Sequence, residues 1–258
     1  MNDLRTTASW FLVSRPNPRA RLRLFCFPYA GGGVSTYQAW PNLLSADIEV
    51  CCVQLPGRGG RIREAPFTRL RPLAEAVAES IRPQLVKPFA FFGHSMGALV
   101  CFEVARLLRG AGGPGPLHLF VSACRAPQLL DDSRVTYDLP EPEFIAELRR
   151  YEGTPQEVLD NREIMQLAIP VLRADFAATQ TYAYEAGPPL DCPLTALGGL
   201  QDHNVSRDDM EAWRAQTSAS FTLRMFSGGH FFLNTSGHML LAIVSRELQR
   251  YLPDERAA

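Results

Sequence analysis

The 258-residue sequence predicts an α/β fold, a mostly parallel central sheet with helices on both faces. Two observations carry that expectation. Six short apolar runs alternate with segments of helical periodicity, the order that parallel strands joined by crossover helices require. The runs are hydrophobic throughout rather than at every second residue, as suits strands covered on both sides.

The elements follow in order. Residues 22–27, 48–53, 89–92, 117–121, 194–197 and 221–226 read as strands. Residues 73–85, 98–108, 207–217 and 239–252 read as helices. In the first of these, Leu73, Ala76, Val77, Ile81 and Leu85 recur on a 3.6-residue period and form one apolar stripe. Residues 125–185 break the alternation, with two or three helical patterns and no good strand. Pro140-Glu141-Pro142-Glu143 opens a helix through Phe144, Ile145 and Leu148, and a second helix runs over 162–184. The chain reads as one domain, 1–258, with 125–185 inserted as a helical lid. The lid's apolar face, including Phe144, Met165, Ile169, Leu172 and Phe176, is expected either to line a substrate pocket or to lie against the body.

Composition bounds the function. Apolar residues make up 46%, ordinary for a globular core. No run approaches the ~18 residues that span a membrane. The only apolar run near the N-terminus is residues 10–13, short of the roughly 7 to 15 of a signal-peptide core. A soluble cytoplasmic protein, monomeric and without a membrane partner, is expected. Cys26, Cys51, Cys52, Cys101, Cys124 and Cys192 form no C-x-x-C pair, so free buried thiols are expected and a zinc site is not. Neither metal nor cofactor is called for. A net charge of −1 gives no case for nucleic acid. The charge is uneven, however. Residues 1–110 hold 14 Lys+Arg against 7 Asp+Glu, and residues 125–185 hold 6 against 12.

The chemistry centres on Phe91-Phe92-Gly93-His94-Ser95-Met96-Gly97. A buried strand runs into a helix through G-x-S-x-G, the nucleophile elbow of an α/β-hydrolase. Glycines flank the serine because a Cβ at either place would meet neighbouring backbone. Ser95 stands at a helix N-terminus, where free N–H groups favour developing negative charge.

A serine hydroxyl is a weak nucleophile and needs a base, itself held by a carboxylate. Of the five histidines, His94 lies inside the elbow and points away from the serine. His118 reads as a core residue, His203 follows the best acid, and His238 falls at the last helix. His230 follows the last strand through Ser227-Gly228-Gly229 and is the candidate base. The acid should follow the preceding strand, where Gly198-Gly199-Leu200-Gln201-Asp202 supplies Asp202. Asp191 lies at the wrong end of that strand, and Asp208 and Asp209 look like solvated first-turn residues. The strand before, ending Val121-Ser122-Ala123-Cys124, offers no carboxylate before Asp131. Two backbone N–H donors are needed for the oxyanion. Met96 is one candidate, and Ala30, in Phe27-Pro28-Tyr29-Ala30-Gly31-Gly32-Gly33, is the other, with Tyr29 adjacent. Tyr29 is also a candidate substrate contact.

Four segments in this order, FCFPYAGGG, VQLPGRGGRIREAPF, FFGHSMGAL and GGLQDHNV followed by GGHFFL, span nearly the whole chain. Together they make it resemble the stand-alone type II thioesterases of polyketide and nonribosomal peptide assembly lines. The resemblance implies an α/β-hydrolase fold with a mobile lid, and an editing hydrolase of acyl thioesters on the phosphopantetheine arm of acyl or peptidyl carrier proteins. Ser95, Asp202 and His230 match the family's triad, and Met96 and Ala30 its oxyanion hole. The chain departs from the family at Gly59 and Gly60, where a more polar residue is usual.

Arg58, Arg61, Arg63, Arg69 and Arg71 crowd one loop. Arg58, Arg61 and Arg63 are candidates for docking an acidic carrier protein or the pantetheine phosphate, unless they pair internally with residues such as Glu64. Other readings of the same triad are an esterase of small oxygen esters and an acyltransferase that uses the same acyl-enzyme. A carrier-binding protein without catalysis would not need an intact triad.

Overall fold

The strands form one seven-stranded sheet in the order β1-β3-β2-β4-β5-β6-β7. In the computed structural model, residues 9–129, 135–151, 153 and 156–252 are described. Parts of the expected insertion (130–134, 152, 154 and 155), and with them Asp131, lie outside the described residues.

The six expected strands are present as β2 (Leu22–Phe27), β3 (Ile48–Val53), β4 (Phe89–His94), β5 (Leu119–Ser122), β6 (Leu194–Gly199) and β7 (Phe221–Phe226), all parallel. A seventh, β1 (Phe11–Leu12), is only two residues long and pairs antiparallel with the end of β3. Its brevity hid it from periodicity.

The helices shift at their ends for local reasons. α1 (Leu70–Ile81) starts three residues earlier than expected. Pro72 fits its first turn, where the missing N–H has no intrahelical partner to lose. Pro83 converts the expected continuation into a 3₁₀ turn over Arg82–Gln84. α2 (Met96–Gly110) begins directly after Ser95. The expected helix 207–217 divides into α6 (Arg207–Glu211), started by a Ser206–Asp209 capping box, and a 3₁₀ turn over Ala212–Gln216. After β7 come a single turn, α7 (Phe232–Thr235), and α8 (Gly237–Gln249).

Strand geometry sends successive side chains to opposite faces. Phe25, Phe27, Phe89 and Phe91 face α1 and α2. Leu22, Leu24, Cys26, Ala90 and Phe92 face Tyr37, Trp40 and the Leu240, Leu241, Val244, Leu248 stripe of α8. The aromatic rings meet edge to face, Phe27–Phe91 at 5.2 Å and Trp40–Phe92 at 4.8 Å. Such pairs add ~1 kcal/mol each beyond area burial. All six cysteines are free and buried, and burial pushes the thiols of Cys51, Cys52 and Cys192 up to about 12.

Between β5 and β6 lie α3 (Glu141–Tyr151), α4 (Gln156–Leu159) and α5 (Arg162–Gln180). Asn161 caps α5 by accepting the Glu163 and Ile164 N–H groups, each at 3.1 Å. These helices share a small core of their own, built from Phe144, Leu148, Leu159, Met165, Ile169 and Leu172. Among the described residues no helix is long and apolar enough to cross a membrane.

Candidate active site

Parallel strands deliver their C-terminal ends to one sheet edge, and the candidate triad assembles there. Ser95 follows β4 directly. Its backbone sits at φ 53°, ψ −121°, a conformation that L side chains rarely adopt. Neighbouring structure holds it there. A Cβ on Gly93 would collide with the Gly97 backbone, and one on Gly97 with the Phe27 carbonyl. The Ser95 N–H donates to the Ser122 carbonyl at 2.7 Å. His230 lies on the loop after β7 and Asp202 on the loop after β6.

The three side chains meet. His230 Nε2 lies 3.0 Å from Ser95 Oγ, and Nδ1 lies 2.8 Å from Asp202 Oδ2. The Asp202 side chain is fully buried. Its other oxygen accepts the Asn204 and Val205 N–H groups at 2.8 and 3.1 Å, so the carboxylate is held from both ends. This arrangement orients Nδ1–H toward the carboxylate and leaves Nε2 facing the serine hydroxyl.

Met96 follows Ser95 in the chain, and Ala30 lines the same cavity as both. Among the described residues neither backbone N–H is bonded to a protein acceptor.

The relay opens on a cavity of about 690 Å³, within the range of small-molecule sites. Tyr29, Leu172, Phe176 and Tyr151 line it, as expected for Tyr29, Leu172 and Phe176. Phe144, Met165 and Ile169 do not. They turn into the insertion's own core, where Phe144 meets Phe176 at 5.6 Å and the Arg173 guanidinium lies 4.5 Å from its ring. The reason is geometric. The apolar stripe of α5 is continuous, but its N-terminal half covers α3 and α4, and only its C-terminal half reaches the cavity.

The docking arginines also divide. Arg58 forms a two-pronged ion pair with Asp175 of α5. Arg61 is 5% exposed; it holds Glu64 and the Gln54 carbonyl and lies 3.7 Å over the Trp10 ring. The fold pairs both guanidiniums, with 11% of the Arg58 side chain and 5% of the Arg61 side chain exposed. Arg63 alone of the three is exposed.

Among the described residues, no other histidine is bonded to Ser95 or Asp202. His94 is buried, with Nδ1 against Ser122 Oγ at 2.9 Å, and burial together with the nearby His230 lowers its pKa. His118 lies between Thr195 and Tyr251. His203 reaches the cavity wall. Sequence reasoning missed Asp175. Its signal was an acidic residue one helical turn after Leu172 and next to Phe176. Among the described residues no group of His, Cys, Asp or Glu is arranged to hold a metal ion.

Comparison with known proteins shows the family. A family model described as a thioesterase domain matches residues 22–248. The gramicidin S biosynthesis protein GrsT of Aneurinibacillus migulanus is 45% identical over 243 residues, covering 94% of this chain and 95% of GrsT. A protein named linear gramicidin dehydrogenase LgrE, from Brevibacillus parabrevis, is 46% identical over 246 residues, 94% of each chain. The structure of the type II thioesterase BorB from the borrelidin biosynthetic cluster superposes with a TM-score of 0.86 at 37% identity, over 94% of this chain and 99% of that one.

Proposed function

The chain belongs to the thioesterase domain family, and we propose that it edits acyl thioesters through Ser95, His230 and Asp202. One observation carries the assignment of roles: the unbroken hydrogen-bonded relay at 3.0 and 2.8 Å, opening on a cavity lined in part by α5.

In this reading, His230 Nε2 takes the Ser95 hydroxyl proton as Oγ attacks the thioester carbonyl. Asp202 holds the Nδ1–H tautomer and stabilises the imidazolium that forms. The Met96 and Ala30 N–H groups, at a helix N-terminus and a glycine-rich turn, receive the oxyanion. The C–S bond breaks, His230 returns the proton to the departing sulfur, and an acyl-serine remains. Thiols ionise near pH ~8.5, so departure needs less assistance than from an oxygen ester. A water deprotonated by His230 then releases the carboxylic acid. Leu172, Phe176, Tyr151 and Tyr29 enclose the acyl group.

The substrate is an acyl or peptidyl group on the phosphopantetheine thiol of a carrier protein. The similarity to proteins named for gramicidin S and borrelidin biosynthesis supports this choice. One relative bears a dehydrogenase name, but the relay in this chain moves protons rather than hydride. The test is hydrolysis of acyl-pantetheine thioesters on carrier proteins, from acetyl to long chain, beside matched oxygen esters. Faster thioester hydrolysis is the expected result. Preference for oxygen esters would make the protein an esterase, and amide formation outrunning acid release with an added amine would make it an acyltransferase.

A further inference from the structure

We propose that Asp175 and Arg58 are positioning residues that fix the Ala30 N–H for the oxyanion, so that seating α5 and assembling the oxyanion hole are one event. This rests on the serine-hydrolase reading above.

The geometry begins with a turn. The Gly32 N–H donates to the Tyr29 carbonyl at 2.8 Å, closing a β-turn whose central residues are Ala30 and Gly31. Gly31 has φ +76°, the value that the third position of a type II turn demands. The N–H at the second position, Ala30, takes no part in closing such a turn and is left to point outward. What remains is to hold the turn against rotation.

Asp175 and Arg58 do that from two sides. Asp175 Oδ2 accepts the Gly31 N–H at 2.7 Å. The same carboxylate accepts Arg58 Nη1 at 2.6 Å and Nη2 at 2.8 Å. Arg58 Nη1 also donates to the Gly32 carbonyl at 3.1 Å. The first and third peptide groups after Ala30, Ala30–Gly31 and Gly32–Gly33, are thus clamped, one by a carboxylate and one by a guanidinium. Asp175 is only 2% exposed, so the pair acts with little solvent screening. Asp175 lies on α5 of the insertion, whereas the turn and Arg58 belong to loops of the body. Leu172, one turn earlier on α5, sits against Gly31 and would meet any Cβ there. If α5 lifts, the Gly31 N–H loses its acceptor and Arg58 its partner. The same helix lines the cavity through Leu172 and Phe176, so a seated acyl chain and a formed oxyanion site share one element.

The experiment uses Asp175→Asn and the charge-free double variant Arg58→Met with Asp175→Leu. Apolar replacement of a buried ion pair commonly preserves folding, and the double variant covers the case in which the single one does not fold. Each is assayed with one acyl-pantetheine thioester, with a trifluoromethyl ketone analogue that forms a tetrahedral adduct on Ser95, and with a thioether analogue that cannot. Thermal unfolding confirms a folded protein at assay temperature. Loss of a well-placed oxyanion donor is expected to lower kcat about 10- to 100-fold, with KM within about twofold. Affinity for the trifluoromethyl ketone should fall in proportion to kcat/KM, while the thioether binds as before. A folded variant with native kcat, or one that loses both analogues equally, would overturn the proposal and leave the pair as a tether for α5. If the unaltered protein hydrolyses no thioester, the substrate reading fails. Comparing tetrahedral-adduct affinity across the same proteins still decides the positioning role.

Discussion

The sheet edge and the inserted helices build the same cavity by different means. At the edge, Ser95, Asp202 and His230 each lie within four residues of a strand end, and backbone geometry brings them together. In the insertion, Phe144 of α3 and Met165, Ile169, Leu172 and Phe176 of α5 are all apolar, yet only the last two reach the cavity. A position set by the backbone can be inferred from a motif. A position set by which neighbour a side chain meets cannot, because many neighbours satisfy the same hydrophobic requirement.

Four measurements would break or sharpen that contrast. Ser95→Ala should cost kcat about 10⁴- to 10⁶-fold in steady-state hydrolysis, because the acyl-enzyme cannot form. Native turnover in that variant would remove the edge from the chemistry. Asp202→Asn should cost about 10³- to 10⁴-fold, chiefly in kcat, because the amide no longer enforces the productive tautomer of His230.

For the insertion, Phe144→Ala and Phe176→Ala should separate. The first empties the helices' own core and should cost roughly 3 to 5 kcal/mol of local stability, seen as faster amide exchange across α3 to α5. It should leave the ratio of long-chain to short-chain kcat/KM nearly unchanged. Phe176→Ala should shift that ratio about tenfold. Equal shifts from both would erase the division between core and cavity wall.

The smallest effect lies in the body, away from the serine. Burial, aided by Arg250, lowers the His118 pKa to about 4. The unfolded chain protonates this residue near pH ~6.5, whereas the folded one keeps it neutral until about pH 4. Its contribution is therefore complete above about 6.5 and is lost as pH falls toward 4, on the order of 3 kcal/mol in all. His118→Gln should flatten the pH dependence of the unfolding midpoint over that window. An unchanged slope would assign the acid sensitivity elsewhere, with His94, also buried, the next residue to replace.

Much of the fold was legible because hydrophobic runs and glycines act locally. β2, β3 and β7 match their expected spans, and the triad follows from the rule that each member succeeds a strand. β1 escaped because two residues carry no period. Charge counts along a loop did not reveal that Arg58 pairs with Asp175 of the distant α5, whereas Arg61 takes the Glu64 partner that its own loop offers.

Sequence alone determined where the strands begin and end, the strained turn at Ser95 and which residues follow the strand ends, since hydrophobic runs and glycines act within a few positions of one another. Tertiary structure decided which residues of the insertion face the cavity, and it brought Asp175 to Gly31 across 144 positions. The physical reason is range: backbone conformation is settled by neighbours in the chain, whereas the partner of a buried charge is settled only when distant segments are desolvated together.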